Sequence, residues 1–247
     1  MGSCWKNYVY TDETILKGRK MLRLENIHKS YGKAKILDGV GFEIYKGDCI
    51  GLIGGNGCGK TTLIQILCGT LKPNKGSILN GGEPVERADY KHLFGYLPQN
   101  DPLIDELTVK DNLKLWFSAM DIKFKGNDIV DKLGISGYLN KPVNKLSGGM
   151  KRRVSLCIAM ANKAPILVMD EPTTALDLAA KGEIWQLLKD FITNGGTIVL
   201  STHDYDEIKR CSRLMLMKNG KLKEIDKNTS YNEIIESIIG GVNEGQR

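Results

Sequence analysis

Gly54-Gly55-Asn56-Gly57-Cys58-Gly59-Lys60-Thr61-Thr62 is the stretch that decides the fold. Its spacing is glycine, four residues, Gly-Lys and then a hydroxyl residue, the pattern of a loop that cradles phosphate. The apolar run Cys49-Ile50-Gly51-Leu52-Ile53 precedes it, and Leu63, Ile64, Ile66 and Leu67 follow at helical spacing. A strand entering such a loop and a helix leaving it separate a nucleotide cradle from a chance string of Gly and Lys. Triphosphate oxygens need several backbone N–H donors converging on one point, and glycines let the chain wrap that closely. The helix starting near Gly59 would turn its positive dipole end toward the anion. Lys60 would serve as a point charge on the β- and γ-phosphates, and the Thr61 hydroxyl suits Mg²⁺, which takes hard oxygen ligands.

Outward from the loop, strand and helix signals alternate. Leu22, Leu24 and Ile27 suggest a strand, and Ile36–Ile44 a second, broken by glycines. Gly76-Ser77-Ile78-Leu79 reads as a short strand before a Gly81-Gly82 turn, and Phe94-Gly95-Tyr96-Leu97 as a buried one. A helix-rich stretch covers about 104–162. Thr108 with Asp111 resembles a capping box, and Leu113, Trp116, Phe117 and Met120 follow at the spacing of a core face. A second helix is expected at about 126–134, and a third near Ser147 with Val154, Ile158 and Ala161 on one face. Ile166–Met169 and Thr197–Leu200 have the continuous apolar composition of strands buried on both sides. Between them Ile184, Leu187, Leu188 and Phe191 mark a helix that should end at Gly195-Gly196. Residues 212–225 predict a hairpin around Asn219-Gly220, and 230–240 a terminal helix. Such alternation implies parallel pairing in an α/β sheet.

Composition sets the class. The 247 residues suffice for a real core, and 26% charged against 41% hydrophobic residues is ordinary for a water-soluble chain. A net charge of +6 fits anionic ligands, nucleic acid or an anionic membrane surface, and equally a Lys-rich solvated exterior. None of the six cysteines forms a Cys-x-x-Cys pair, which argues against zinc and for a reducing compartment. Cys49, Cys68 and Cys157 sit in apolar runs and read as small core residues. No apolar run reaches transmembrane length, and nothing at the start has the form of a secretory signal. Residues 1–20 show no periodicity and read as a leader, an accessory strand or a vector-derived piece, with Cys4 an unfavoured lipidation site and Met21 an alternative start.

Further residues stand where a ligand of such a sheet would lie. Asp170-Glu171 closes the strand at 166–169, and ligands bind beyond the carboxyl ends of parallel strands. One acid there can hold Mg²⁺ and the next can polarise an attacking water, although an Asp-Glu-Pro turn alone explains the string as well. Ser147 of Leu146-Ser147-Gly148-Gly149 can cap a helix whose N–H groups face an anion. Lys151, Arg152 and Arg153 read better as a solvated helix face than as phosphate ligands. Gln99 and His203 each follow a buried strand, and Tyr31, 23 residues before Gly54, can stack on a base.

In their joint order these elements resemble the ATP-binding-cassette (ABC) ATPases over roughly residues 22–225. Gly54–Thr62 is similar to their Walker A loop, Pro98-Gln99 to the Q-loop and Leu146–Met150 to the signature sequence. Ile166–Glu171 resembles Walker B, Ala175-Leu176-Asp177 the D-loop and Ser201-Thr202-His203 the H-loop, with Tyr31 at the adenine-stacking position. Departures are Gly55 for the frequent Pro, Cys58 for Ala or Ser, and Met150 for Gln. A thiol at position 58, at the start of a phosphate-binding helix, can be acidified and readily modified, but it reads first as a small residue filling that slot.

The resemblance implies a P-loop NTPase fold of the α/β class, with a mainly parallel central sheet, an antiparallel β subdomain and a helical subdomain at about 100–162. It divides the chain into a leader (1–20), an ATPase domain (21–225) and a C-terminal helix and tail (226–247). ATP and Mg²⁺ are the implied cofactors. Nucleotide binding falls to Tyr31, Gly54, Gly55, Asn56, Gly57, Cys58, Gly59, Lys60, Thr61, Thr62 and Gln99, and Mg²⁺ to Thr61, Gln99 and Asp170. Glu171 would polarise water and His203 would help position it. Ser147, Gly148 and Gly149 would act in trans on the ATP of a second ATPase subunit, identical or related, with Asp177 coupling the pair. The other implied partners are polytopic membrane subunits, which places the chain in the cytoplasm at the inner face of the membrane. The string Ser-Gly-Gly-Met-Lys-Arg-Arg is similar to that in bacterial ABC exporters whose membrane subunits are separate chains, which implies a subunit that powers export; nucleic acid is not an expected partner. A soluble ATPase acting on ribosomes or nucleic acid is the alternative, and such relatives usually carry two cassettes or a long coiled coil.

Overall fold

A computed structural model describes residues 19–122 and 128–239 of the chain. The expectations for the leader up to residue 18, Cys4 and Met1 included, for the start of the second helix at 126–127 and for the tail from 240 lie outside these residues.

The chain runs through β1 (Lys20–Tyr31), β2 (Ala34–Tyr45), β3 (Cys49–Ile53), α1 (Lys60–Leu67), β4 (Lys75–Asn80), β5 (Glu83–Pro84), α2 (Tyr90–Leu93) and β6 (Phe94–Leu97). It continues through α3 (Val109–Ala119), α4 (Asp128–Lys132), α5 (Gly148–Met160), β7 (Ile166–Asp170) and α6 (Leu178–Thr193). It then passes β8 (Thr197–Ser201), α7 (Tyr205–Arg210), β9 (Arg213–Lys218), β10 (Lys221–Ile225) and α8 (Tyr231–Ile239). Two sheets result. The larger has the order β10-β9-β3-β8-β7-β6 and is parallel except for β10. The smaller, β2-β1-β4-β5, is antiparallel.

Side chains on a strand alternate between its faces, so a run that is apolar throughout must be covered on both. That is what β3, β7 and β8 show. Ile50, Leu52, Val168 and Val199 join a core shared with α1 and the antiparallel sheet. Ile53, Leu167, Met169 and Leu200 belong to a second core, shared with α3, α5 and α6. The parallel sheet thus lies between two layers, and its carboxyl ends form one edge.

The helical elements follow their caps. Thr108 caps α3, its hydroxyl accepting from Asp111 N at 3.1 Å and donating to Asp111 Oδ2 at 2.6 Å; the carboxylate meets the hydroxyl rather than the Thr108 N–H that a capping box would use. Leu113 and Phe117 are buried, while Trp116 and Met120 are half-buried against the same core. Asn112, fully buried, holds the preceding turn through Ile104 N, Ile104 O and Thr108 O. Ser147 caps α5, and Gly195, with φ 84°, ends α6.

Three readings change. The glycines at 39 and 41 do not break β2; the β1–β2 ladder absorbs them as register shifts around Ile27. Cys68 is half-buried, whereas Cys49 and Cys157 are buried. The run Lys151-Arg152-Arg153 is not a solvated face. Lys151 pairs with Asp105 and Arg153 with Glu183, but Arg152 is 4% exposed and points into the protein. Three consecutive helical residues point about 100° apart, so a charge run cannot lie on one face.

Candidate functional site

The cradle is built at the end of β3. Gly54 has φ 154°, and a Cβ there would stand 2.4 Å from the Met217 carbonyl oxygen of β9, so no other residue fits without moving the sheet. Gly57 and Gly59 take φ 74° and 111°, conformations that suit glycine. Gly59 precedes α1 without a capping side chain, and no acid stands in the first turn, so the helix presents donors and a positive dipole end. Lys60 is 8% exposed, its ammonium folded over the loop to donate to Gly54 O at 2.8 Å and Gly55 O at 3.0 Å. Its Nζ lies 3.9 Å from Cys58 Sγ. Asn56, Gly57 and Thr61 are exposed, and Thr62 is half-buried.

The second group gathers at the carboxyl ends of β6, β7 and β8. Asp170 is 3% exposed, and Ser201 Oγ, opposite it in the ladder, donates to its Oδ1. Glu171 comes next, with φ 47° although it is not glycine. That left-handed conformation costs about 1–2 kcal/mol and persists only where its surroundings hold it. Here Glu171 N donates to Ser201 O at 3.2 Å and Ser201 Oγ at 3.1 Å, and Glu171 O accepts from Arg152 Nη2 at 3.1 Å. The turned backbone sets the carboxylate among three side chains. Gln99 Nε2 and Thr174 Oγ1 each donate to Oε2 at 3.1 Å, and His203 Nδ1 stands 3.3 Å from Oε1. The Glu171 side chain is 14% exposed and that of His203 64%, so the pair opens to solvent on the imidazole side. One layer further in, Thr173 Oγ1 donates to the buried Glu207 at 2.6 Å, and burial pushes the Glu207 carboxyl up.

A third group forms at the starts of α5 and α6. Ser147 Oγ accepts from Met150 N at 3.3 Å. Gly149 lies so close to α6 that a Cβ would be 2.9 Å from Ala180 Cβ, and Gly148 faces Leu176. Asp177 caps α6, accepting from Ala180 N at 2.8 Å, beside Leu178, which is 83% exposed.

The residues singled out from the sequence therefore fall into three sets: Gly54–Thr62, then Gln99 with Asp170, Glu171 and His203, then Ser147–Gly149 with Asp177. Tyr31 stands at the tip of the β1–β2 hairpin, 52% exposed, with Lys29 Nζ 5.4 Å from its ring centre. Ile36 of the same hairpin reaches within 3.1 Å of a Cβ built on Gly59, which sets the hairpin beside the start of α1. Sequence reasoning missed Thr174 and the role of Arg152, and it named Ser201 only as part of the H-loop resemblance. A signal for Arg152 exists: it shares a 3–4-spaced face with Ser155, Leu156 and Ala159, all buried.

A cleft of about 310 Å³ borders the loop, between Lys35, Ile36, Gly55–Cys58, Asn219 and Ile238 of α8. A more open concavity of about 700 Å³ over the antiparallel sheet, lined by residues such as Arg23, Asn26 and Phe42, holds none of these groups.

The profile of the family described as ABC transporter matches residues 37–174. The chain is 36% identical over 208 residues to a Nod factor export ATP-binding protein I of Paraburkholderia xenovorans (strain LB400), covering 81% of this chain and 68% of that one. It is 31% identical over 238 residues to a linearmycin resistance ATP-binding protein of Bacillus subtilis (strain 168), covering 91% and 76%. A solved nucleotide-free cassette from an ABC transporter superposes with a TM-score of 0.76 at 25% identity, covering 91% of this chain and 98% of that one. A dimeric post-hydrolysis cassette bound to ADP and phosphate gives 0.74 at 27% identity, covering 85% and 100%.

Proposed function

The chain belongs to the ABC transporter family, and from that premise we propose that it is the ATP-binding and ATP-hydrolysing subunit of a membrane exporter, working by closure of a head-to-tail pair on ATP. The observation that carries the hydrolytic reading is the Glu171 carboxylate held at once by Gln99, Thr174 and His203, at the carboxyl edge of the sheet that also ends in the phosphate loop. The direction of transport follows relatives named for Nod factor export and for linearmycin resistance.

The residues divide the work as follows. On binding, Lys60 would exchange the Gly54 and Gly55 carbonyls for phosphate oxygens, while the N–H groups of the loop and of the start of α1 receive the triphosphate. Thr61, Gln99 and Asp170 offer hard oxygens, the donor set that Mg²⁺ requires. The Gln99 amide fits, since its nitrogen is engaged by Glu171 and its oxygen is the remaining ligand atom. The ion, when bound, neutralises phosphate charge; the chain's own part is to aim Glu171 at the attacking water and His203 at the γ-phosphate. Ser147, Gly148 and Gly149 would close over the ATP of the other subunit, and Tyr31 would stack on the adenine. Asp177 would join the two subunits from the start of α6, in addition to capping it.

Among the described residues no helix is long and apolar enough to cross a membrane. Attachment to the inner face would pass through a polytopic partner, the membrane subunit of such a transporter, met by the helical stretch at about 100–162. Affinity purification of the full chain from its native membranes is the direct test. Recovery of a polytopic membrane protein in stoichiometric amount is expected; recovery of ribosomes or nucleic acid instead would defeat the transporter reading.

Cys58 gives a check on the binding mode. Its thiol sits inside the loop near Lys60, so bound ATP should cover it. Alkylation of Cys58, followed by mass spectrometry, is expected to slow severalfold in saturating ATP. Equal labelling with and without ATP would mean that the thiol lies away from the nucleotide.

A further inference from the structure

Arg152 is the buried cation that the hydrolytic chemistry leaves unassigned, and its hydrogen bonds join two distant segments. Nη1 donates to Pro98 O at 2.8 Å, to Gln99 O at 3.4 Å and to Asp101 Oδ1 at 3.0 Å. Nε donates to Pro172 O at 2.7 Å, and Nη2 to Asp170 O at 3.3 Å and Glu171 O at 3.1 Å. One planar fork therefore binds the backbone beside Gln99 with one arm and the backbone of Asp170–Pro172 with the rest. Guanidinium keeps its charge at any working pH and presents donors in fixed directions, so it sets the spacing of what it holds. The side chains that meet on the far side of those backbones are Gln99 and Glu171, 3.1 Å apart. The Glu171 carbonyl is among the acceptors, on the residue whose left-handed φ of 47° aims the carboxylate.

Arg152 also lies in the first turns of α5, five residues after the capping Ser147. A displacement of Ser147 would be carried along that one helix to the guanidinium. We propose that Arg152 is a positioning residue that links the nucleotide a subunit caps for its partner to the carboxylate with which it hydrolyses its own. This rests on the head-to-tail pairing described above. It makes the two sites of the pair interdependent through α5, a different route from the α6 end where Asp177 stands.

The test uses the full chain in its wild-type form and as Arg152→Lys and Asp101→Asn. Lysine keeps the charge but loses the planar fork, so it cannot span both segments. The Asn variant loosens only the Gln99 side. For the Lys variant we expect ATP affinity within about twofold of wild type, kcat lower by about tenfold, and a Hill coefficient for ATP hydrolysis falling toward 1. Tenfold is short of the roughly hundredfold that an ångström of misplacement can cost. The Asn variant should shift in the same direction by about threefold, and it decides the matter if the Lys variant does not fold. A structural pin alone predicts a lower melting temperature with the Hill coefficient kept, and that result overturns the proposal. So does a folded variant with wild-type kcat and cooperativity. Wild-type turnover that is itself non-cooperative overturns the link while leaving the ATPase intact. Absence of wild-type turnover overturns the underlying reading instead.

Discussion

Glu171→Gln is expected to keep ATP bound and to cut steady-state hydrolysis by about two to four orders of magnitude, the range associated with a positioned general base. The substitution is nearly isosteric. The backbone N–H of residue 171 still donates to Ser201, and its carbonyl still accepts from Arg152, so the turn at φ 47° is retained. What is lost is the negative charge at the centre of Gln99, Thr174 and His203. A neutral amide cannot take a proton from water, and its oxygen is a weaker acceptor for the imidazole than a carboxylate. The phosphate loop, on another strand end, is untouched. Equilibrium binding of a fluorescent ATP analogue should therefore match wild type, and size-exclusion chromatography in ATP should show a dimer that persists because turnover no longer opens it. Phosphate release near the wild-type rate would remove Glu171 from the chemistry and return Asp170-Glu171-Pro172 to being a turn at the end of β7.

The elements on which this rests are unequally legible in the sequence. The parallel strands are plain, because burial on both faces leaves only apolar residues, as at Ile166–Met169. The phosphate loop is plain because its glycine spacing reflects backbone geometry; Gly54 is forced by the Met217 carbonyl 2.4 Å from where its Cβ would be. The left-handed backbone at Glu171 is invisible, since its cause lies in Ser201 and Arg152, distant along the chain. Arg152 is hidden in a charge run whose members point in three directions, and only the faces of α5 separate it from Lys151 and Arg153. Helix α7 escapes for want of length, although Asp204, which caps it through Asp206 N and Glu207 N, carries the usual start signal.

Lys60→Ala should weaken ATP binding itself, by about a hundredfold. A hydrogen bond to a charged group contributes about 1.5–3 kcal/mol, and about 1.4 kcal/mol corresponds to a factor of ten in affinity. Two such contacts would exceed a hundredfold, but part is offset, because the ammonium must first give up Gly54 O and Gly55 O, at 2.8 and 3.0 Å. The same two bonds predict a side effect. Removing the ammonium leaves the carbonyl of the buried Gly54 without that donor, a loss of about 1 kcal/mol of stability that a melting curve would register. Lys60→Met separates charge from packing: it keeps most of the stem and drops the ammonium, so it should lose as much affinity as Lys60→Ala. Calorimetric titration with a non-hydrolysable ATP analogue measures both variants. If either binds as tightly as wild type while remaining folded, the triphosphate does not lie over Lys60. The glycine loop would then be a tight connection between β3 and α1 rather than a cradle, because the backbone donors of α1 alone attract any anion, whereas the ammonium is what distinguishes the densely charged β- and γ-phosphates.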